Sequence, residues 1–217
     1  MPLSRLKSTL LASALVLAGT ANAATLLNEG FSGSLSNLAT AGWVITNQSS
    51  PIGSTTWFRP ADTDIFAAQD GSANYLAANY NSGVEAGTIA NWLITPTFST
   101  ETGGLVDLWI RSGGDEGFTD TVKFGFSNGS SATSDFTLGS LVTVAGAWTE
   151  YTFAYAASGA GSTARFAIEY TGSGDSLNLI GVDSLTITTA AVPEPTTWAM
   201  FALGAAALVG VRRRSAR

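Results

Sequence analysis

The stretch Val106-Asp107-Leu108-Trp109-Ile110-Arg111 decides the fold. The apolar side chains at 106, 108 and 110 fall on one face of an extended chain, and Asp107, Trp109 and Arg111 fall on the other. A helix would scatter these residues round its circumference, whereas a strand with one buried face sorts them. The alternation recurs on both sides of this stretch. Val122, Phe124 and Phe126 share a face, as do Tyr151, Phe153 and Tyr155, and then Phe166, Ile168 and Tyr170. Ile180, Val182, Leu185 and Ile187 mark the last strand or pair of strands. The period of two breaks there around Asp183-Ser184, which predicts a bulge or bend.

Turns rich in Gly, Ser and Asn separate these runs, at residues 99–104, 113–117, 128–134, 158–162 and 172–176. About ten short strands at this spacing predict an all-β, two-sheet antiparallel sandwich. No segment of the body sustains a helical period, and no internal repeat or second domain is visible. Trp43, Trp92 and Trp148 are expected to be core or structural residues.

Both ends of the chain read as processing segments. In residues 1–23, Arg5 and Lys7 precede the apolar run Leu10 to Ala18, and Ala21-Asn22-Ala23 is a small-x-small cleavage site. Cleavage between Ala23 and Ala24 would leave a mature body, 24–191, of one-domain size, about 168 residues. At the other end, Val192-Pro193-Glu194-Pro195 precedes the apolar stretch 196–211, which contains Trp198 and ends at Val211; Arg212, Arg213 and Arg214 follow. As a helix the stretch would span ~24 Å, short of the ~30 Å hydrocarbon core, with the arginines snorkelling on the cytoplasmic side. The two prolines keep the segment before it extended and accessible.

The body carries four basic against fifteen acidic residues, a net charge of −11. Such a surface repels nucleic acid, which is excluded as a partner. The chain has no cysteine and no histidine, so the fold uses no disulfide and lacks the commonest general base and metal ligand.

Residues 192–217 resemble the PEP-CTERM sorting signal, with all three of its parts in order. The resemblance implies recognition by an exosortase and cleavage near Pro193, Glu194 and Pro195. It also implies transient anchoring in the inner membrane of a Gram-negative bacterium, and delivery to the cell surface or a biofilm and exopolysaccharide matrix. The body resembles the choice-of-anchor J or cleaved-adhesin type of sandwich. The matching pieces are Asn28-Glu29-Gly30-Phe31, Ala41-Gly42-Trp43, Asn74-Tyr75-Leu76-Ala77, Asn91-Trp92-Leu93-Ile94-Thr95-Pro96, Trp148-Thr149-Glu150-Tyr151, residues 164–170 and residues 181–187. Where family members often carry an Asp-rich turn, this chain has Asn47-Gln48-Ser49-Ser50.

Two ligand classes follow as expectations. A structural calcium ion, as in related jelly rolls, would use Glu29 and Asp183 between the first and last strands, with Asp62, Asp64 and Asp70 as further candidates. Matrix glycans would stack on exposed rings, for which Trp57, Phe58, Tyr80 and Trp109 are the candidates, Trp57 and Trp109 foremost. Catalysis is not expected. Lys123 is the sole body lysine and sits in no Ser-x-x-Lys motif, while Asp115 and Glu116 are adjacent and would face opposite ways on a strand. Gly113-Gly114-Asp115-Glu116-Gly117-Phe118 is read as an inter-strand loop. The expected role is an adhesive or structural surface protein, with a carbohydrate-binding module as the alternative and a glycoside hydrolase more distant.

Overall fold

The computed structural model describes residues 22–60 and 65–191. Residues 23–191 form one compact unit. Its elements run in the order β1 (Thr25–Glu29), α1 (Leu35–Thr40), β2 (Val44–Asn47), β3 (Ser50–Ile52), β4 (Leu76–Asn79), β5 (Gly83–Ile94), β6 (Phe98–Ser99) and β7 (Gly104–Ser112). Then come β8 (Thr121–Ser127), β9 (Thr137–Leu138), β10 (Val142–Thr143), β11 (Thr149–Tyr155), β12 (Thr163–Ser173) and β13 (Leu179–Thr189).

The strands form two antiparallel sheets. In the first, β13 lies between β7 and an edge made by β1 and β4 end to end, and β11 pairs with the far side of β7. In the second, the order runs β10-β8-β12-β5-β2, with β9, β6 and β3 extending the rows. The faces sort as the alternation predicts. Val106, Leu108 and Ile110 of β7 face Phe124 of β8 and Phe166, Ile168 and Tyr170 of β12 across one buried core.

The predicted break in β13 is a β-bulge. Asp183 pairs with Trp109 and Thr186 with Asp107, so β13 carries one residue more than β7 over this interval. Ser184 absorbs the insertion at φ 50°. The extra residue shifts the phase of the strand, so that Ile180 and Val182 before it and Leu185 and Ile187 after it all point into the core.

Both outer faces carry smaller apolar clusters. On the first sheet, Phe66, Ala68 and Tyr75 cover Ala77 and Leu179, with Trp148 and Phe58 packed beside them. Phe66 stacks on Tyr75 at 4.8 Å, Trp148 meets both edge-on, and the Arg111 guanidinium lies 4.1 Å from the Phe66 ring centre. On the second sheet, Trp92, Ile94 and Ala167 pack beneath Phe136 and Leu138. Trp43 and Trp92 are buried as expected, and Trp148 is half-buried.

One element was not legible from periodicity. The helix α1 is six residues long, too short to show a period, and only Leu38 is buried. It starts where the Ser34 hydroxyl accepts the Asn37 N–H at 3.2 Å. No helix among the described residues is long and apolar enough to cross a membrane. The stretch 196–211 with Trp198 and Val211, the motif Pro193-Glu194-Pro195, and Arg212, Arg213 and Arg214 lie outside the described residues, as does the apolar run of residues 1–21.

Candidate functional site

The two ends of the sandwich differ. At one end β1 starts and β13 finishes, and the Ala24 N–H donates to Thr189 Oγ1 at 2.8 Å. The chain therefore enters and leaves the domain at the same end. At the other end, the β3–β4 connection, the turn after β4, the β7–β8 loop and the β12–β13 turn converge on an open groove of about 960 Å³. Apolar side chains stand in solvent along it. Ile52 is 63 % exposed, Tyr80 46 %, Phe118 46 % and Val84 45 %. Glu85, Asp175, Asn81 and Asn178 supply its polar groups. Exposed rings beside carboxylates and amides match both the apolar faces and the hydroxyls of a sugar.

Tyr80 opens the 3₁₀ turn Tyr80–Ser82 that follows β4, and its N–H donates to the Asn178 carbonyl at 2.9 Å. Ser82, fully buried behind the turn, is held from three sides. Its carbonyl accepts from the Gly53 N–H at 3.0 Å and from Asn47 Nδ2 at 2.7 Å, and its hydroxyl accepts from Asn91 Nδ2 at 2.9 Å. The uncharged turn that begins at Asn47 thus braces the groove through amides. Phe118 is placed by its neighbours: the Thr119 N–H donates to the Ser176 carbonyl at 2.7 Å, and Asn178 donates to the Asp115 carboxylate. The segment 113–118 is a loop between β7 and β8, as the sequence reading expects.

One backbone feature of the rim is unusual. Glu85 sits at φ 40°, a left-handed conformation rare for a residue with a side chain. Gly174 faces it so closely that a Cβ there would lie 2.0 Å from the Glu85 carbonyl oxygen. Beneath the groove, buried Asp120 accepts from the Tyr170 hydroxyl at 2.7 Å and from the Asn178 N–H at 2.8 Å. Burial raises the Asp120 carboxyl above its usual range, the two donors oppose the shift, and Asp115 adds to it. The Tyr170 hydroxyl is raised strongly by the same burial and by the neighbouring Asp120.

The residues singled out in the sequence scatter. Tyr80 lines the groove. Trp57 does not serve as a stacking platform: it is 0 % exposed, in the core cluster with Trp43, Phe31 and Leu38, and its indole N–H has no hydrogen-bond partner among the described residues. Phe58 bridges to Ala77 and packs under the outer cluster. Trp109 is half-buried on the outer face of the first sheet, between Asp183 and Glu150, away from the groove. Phe118 was missed as a ligand candidate, although an aromatic residue within a glycine-rich turn was there to be noticed.

Glu29 and Asp183 sit on adjacent strands, but each carboxylate is already engaged by backbone. Glu29 accepts from the Phe31 N–H at 2.7 Å. Asp183 accepts from the Gln69 N–H at 2.9 Å and the Ser184 N–H at 2.6 Å. Among the described residues no group of three acidic side chains is placed to hold a metal ion, so a calcium ion on this pair would take the rest of its shell from backbone carbonyls and water. Asp62 and Asp64 lie outside the described residues.

The comparisons with known proteins agree with both parts of the chain. Residues 191–214 match the family model of the PEP-CTERM protein-sorting motif, which implies export and processing by an exosortase. No curated protein matches the chain in sequence. The folded domain is similar to the K3 cleaved adhesin domain of Lys-gingipain from Porphyromonas gingivalis, with 21 % identity, a TM-score of 0.60, and coverage of 77 % of this chain and 99 % of that one. The K1 cleaved adhesin domain of the same protein follows, with 19 % identity, a TM-score of 0.58, and coverage of 76 % and 98 %. The chain thus joins a sandwich of the cleaved-adhesin fold to a PEP-CTERM sorting motif.

Proposed function

We propose that this is an exported, non-catalytic surface or matrix protein whose sandwich binds exopolysaccharide glycans through the groove of Tyr80 and Phe118. The observation that carries this reading is the groove's position and lining together. It opens at the end of the domain opposite Ala191, where the chain continues into the sorting motif, and it presents two half-exposed rings with amides and carboxylates between them.

The same lining argues against hydrolysis. Glu85 and Asp175 both stand in solvent. A glycosidase needs one carboxyl kept protonated by a shielded environment. Asp120 has that environment, but it lies buried beneath the groove, bonded to Tyr170 and Asn178.

The test is affinity electrophoresis and a glycan array with exopolysaccharides, comparing the wild-type chain with the Tyr80→Ala, Phe118→Ala double variant. Binding that the double variant loses while keeping its melting temperature supports the reading. Absence of binding to every polysaccharide, or binding unaffected by the two substitutions, overturns it.

A further inference from the structure

Each sheet of the sandwich has two edges, and three of the four are broken into short pieces. The first sheet ends on one side in β1 and β4, five and four residues long, with a register shift in β1 and the Phe58 bridge beside β4. The second sheet ends in β2 and β3 on one side and in the two-residue strands β9 and β10 on the other. Short, interrupted edges are how sheets avoid adding further strands. The fourth edge, β11, has none of this protection. It runs seven residues in unbroken register with β7, from Thr149 opposite Ile110 to Tyr155 opposite Gly104. It contains no Pro, Gly or Lys, and among the described residues no strand pairs with its outer side.

The strand also complements itself. Taken antiparallel to a second β11 about Thr152, it sets Tyr151 opposite Phe153 twice, Glu150 opposite Ala154 twice and Thr152 opposite Thr152. No like charges meet, and two aromatic pairs form, which are among the favourable cross-strand pairs. Tyr151 and Phe153 are half-buried at the open margin of the core, 5.6 Å and 4.7 Å from the Phe124 ring. A second copy would cover them. We propose that β11 is a homophilic contact, through which two copies of this chain join their first sheets into one continuous antiparallel sheet.

The orientation of that pair has a functional consequence, which rests on the surface role proposed above. Antiparallel pairing reverses one domain relative to the other, so the two Ala191 ends lie at opposite ends of the joined sheet. Copies standing upright on one surface, tethered through their C-termini, cannot pair in this way. Copies on two facing surfaces, or copies released by cleavage, can.

The chain has no cysteine, so a single introduced thiol reports one contact. At a two-fold centred on residue 152 the facing Cα atoms would lie about 4.5–5.5 Å apart, within disulfide range. The experiment uses the full chain in detergent, by sedimentation and by mild oxidation. The wild type is expected to form a dimer that tightens as salt screens the body's net charge of −11. Thr152→Cys is expected to crosslink as a dimer, and Ala39→Cys, on α1 at the far edge, is not. At exposed Ala154, a lysine faces Glu150 of the second copy and a glutamate opposes it. Ala154→Lys is expected to tighten the dimer about fivefold and Ala154→Glu to weaken it about fivefold. The same charges at Ala39 should change little. Opposite signs at one exposed position do not arise from misfolding, and the crosslink decides the matter if either variant fails to fold. A chain that stays monomeric, or a dimer that neither crosslinks through Cys at 152 nor answers to charge at 154, overturns the proposal. Glycan binding is measured separately, so loss of one reading leaves the other standing.

Discussion

Asp183, on the bulge of β13, accepts a hydrogen bond at 2.9 Å from the backbone N–H of Gln69, a residue 114 positions earlier in the chain. The contact pins the segment that carries Phe66 and Tyr75 across the outer face of the first sheet, and the other Asp183 oxygen accepts the Ser184 N–H within the bulge itself. Replacing Asp183 with alanine leaves both donors unpaired. Each such loss costs about 1–3 kcal/mol. For a domain of this size that predicts a melting temperature lower by roughly 5–15 °C. Asp183→Asn keeps one acceptor and removes a buried charge, so it should fall between the two. An alanine variant that melts like the wild type would show that the contact does not hold the segment.

Gly181, two residues before the bulge, makes room for that segment. A Cβ there would come within 2.7 Å of the Phe66 ring and 2.9 Å of the Tyr75 ring. Gly181→Ala should displace both rings and cost about 1–3 kcal/mol. Near-ultraviolet circular dichroism should lose aromatic signal while the far-ultraviolet spectrum stays unchanged. Retention of both spectra and of the melting temperature would mean that the stack re-forms without strain.

Acid should stabilise this domain down to about pH 5. Asp120, Glu169 and Asp183 are all held above the usual carboxylate range, in each case chiefly by burial; Lys123 opposes the shift at Glu169, and Asp70 adds to it at Asp183. The folded state therefore binds protons more readily than the unfolded chain. Stability is greatest below the unfolded pKa of about 4 and is lost as pH rises through the raised folded values. Asp70, shifted the other way by its bonds to Ser72, is exposed and adds little. The expected result is a melting temperature that rises as pH is lowered from 7 to 5. A flat or falling profile would contradict it.

In the groove, loss of one ring should weaken glycan binding about tenfold, the scale of a single stacking contact. Tyr80→Ala and Phe118→Ala should each do this with little change in stability, since both rings are exposed. Gly174→Ala should act differently, by pressing on the Glu85 carbonyl and lowering binding and melting temperature together. Isothermal titration with an oligosaccharide found on the array, beside thermal melts, separates the two effects.

Chelation tests the calcium expectation. Because Glu29 and Asp183 have backbone partners already, EDTA should leave the melting temperature unchanged. A drop of several degrees that calcium restores would return those two carboxylates to a ligand shell.

The sequence by itself determined the class of fold and the presence of a sorting motif. Alternation in β7, β8, β11, β12 and β13 is a local property of each strand, because side chains point to opposite faces at every step. Even the bulge at Asp183-Ser184 was legible, since the apolar phase shifts there whatever the strand pairs with. The sorting motif is equally local, a short linear pattern. Tertiary structure alone decided the rest. Trp57 reads like any aromatic residue in a polar stretch, and only its place in the main core, which gathers residues from both sheets, takes the ring out of solvent. The groove gathers Ile52, Tyr80, Phe118 and Asn178 from four connections far apart in sequence. Nothing near any one of them tells which loops share an end of the sandwich. That depends on which strands are neighbours, and strand order is fixed by long-range pairing across the whole chain.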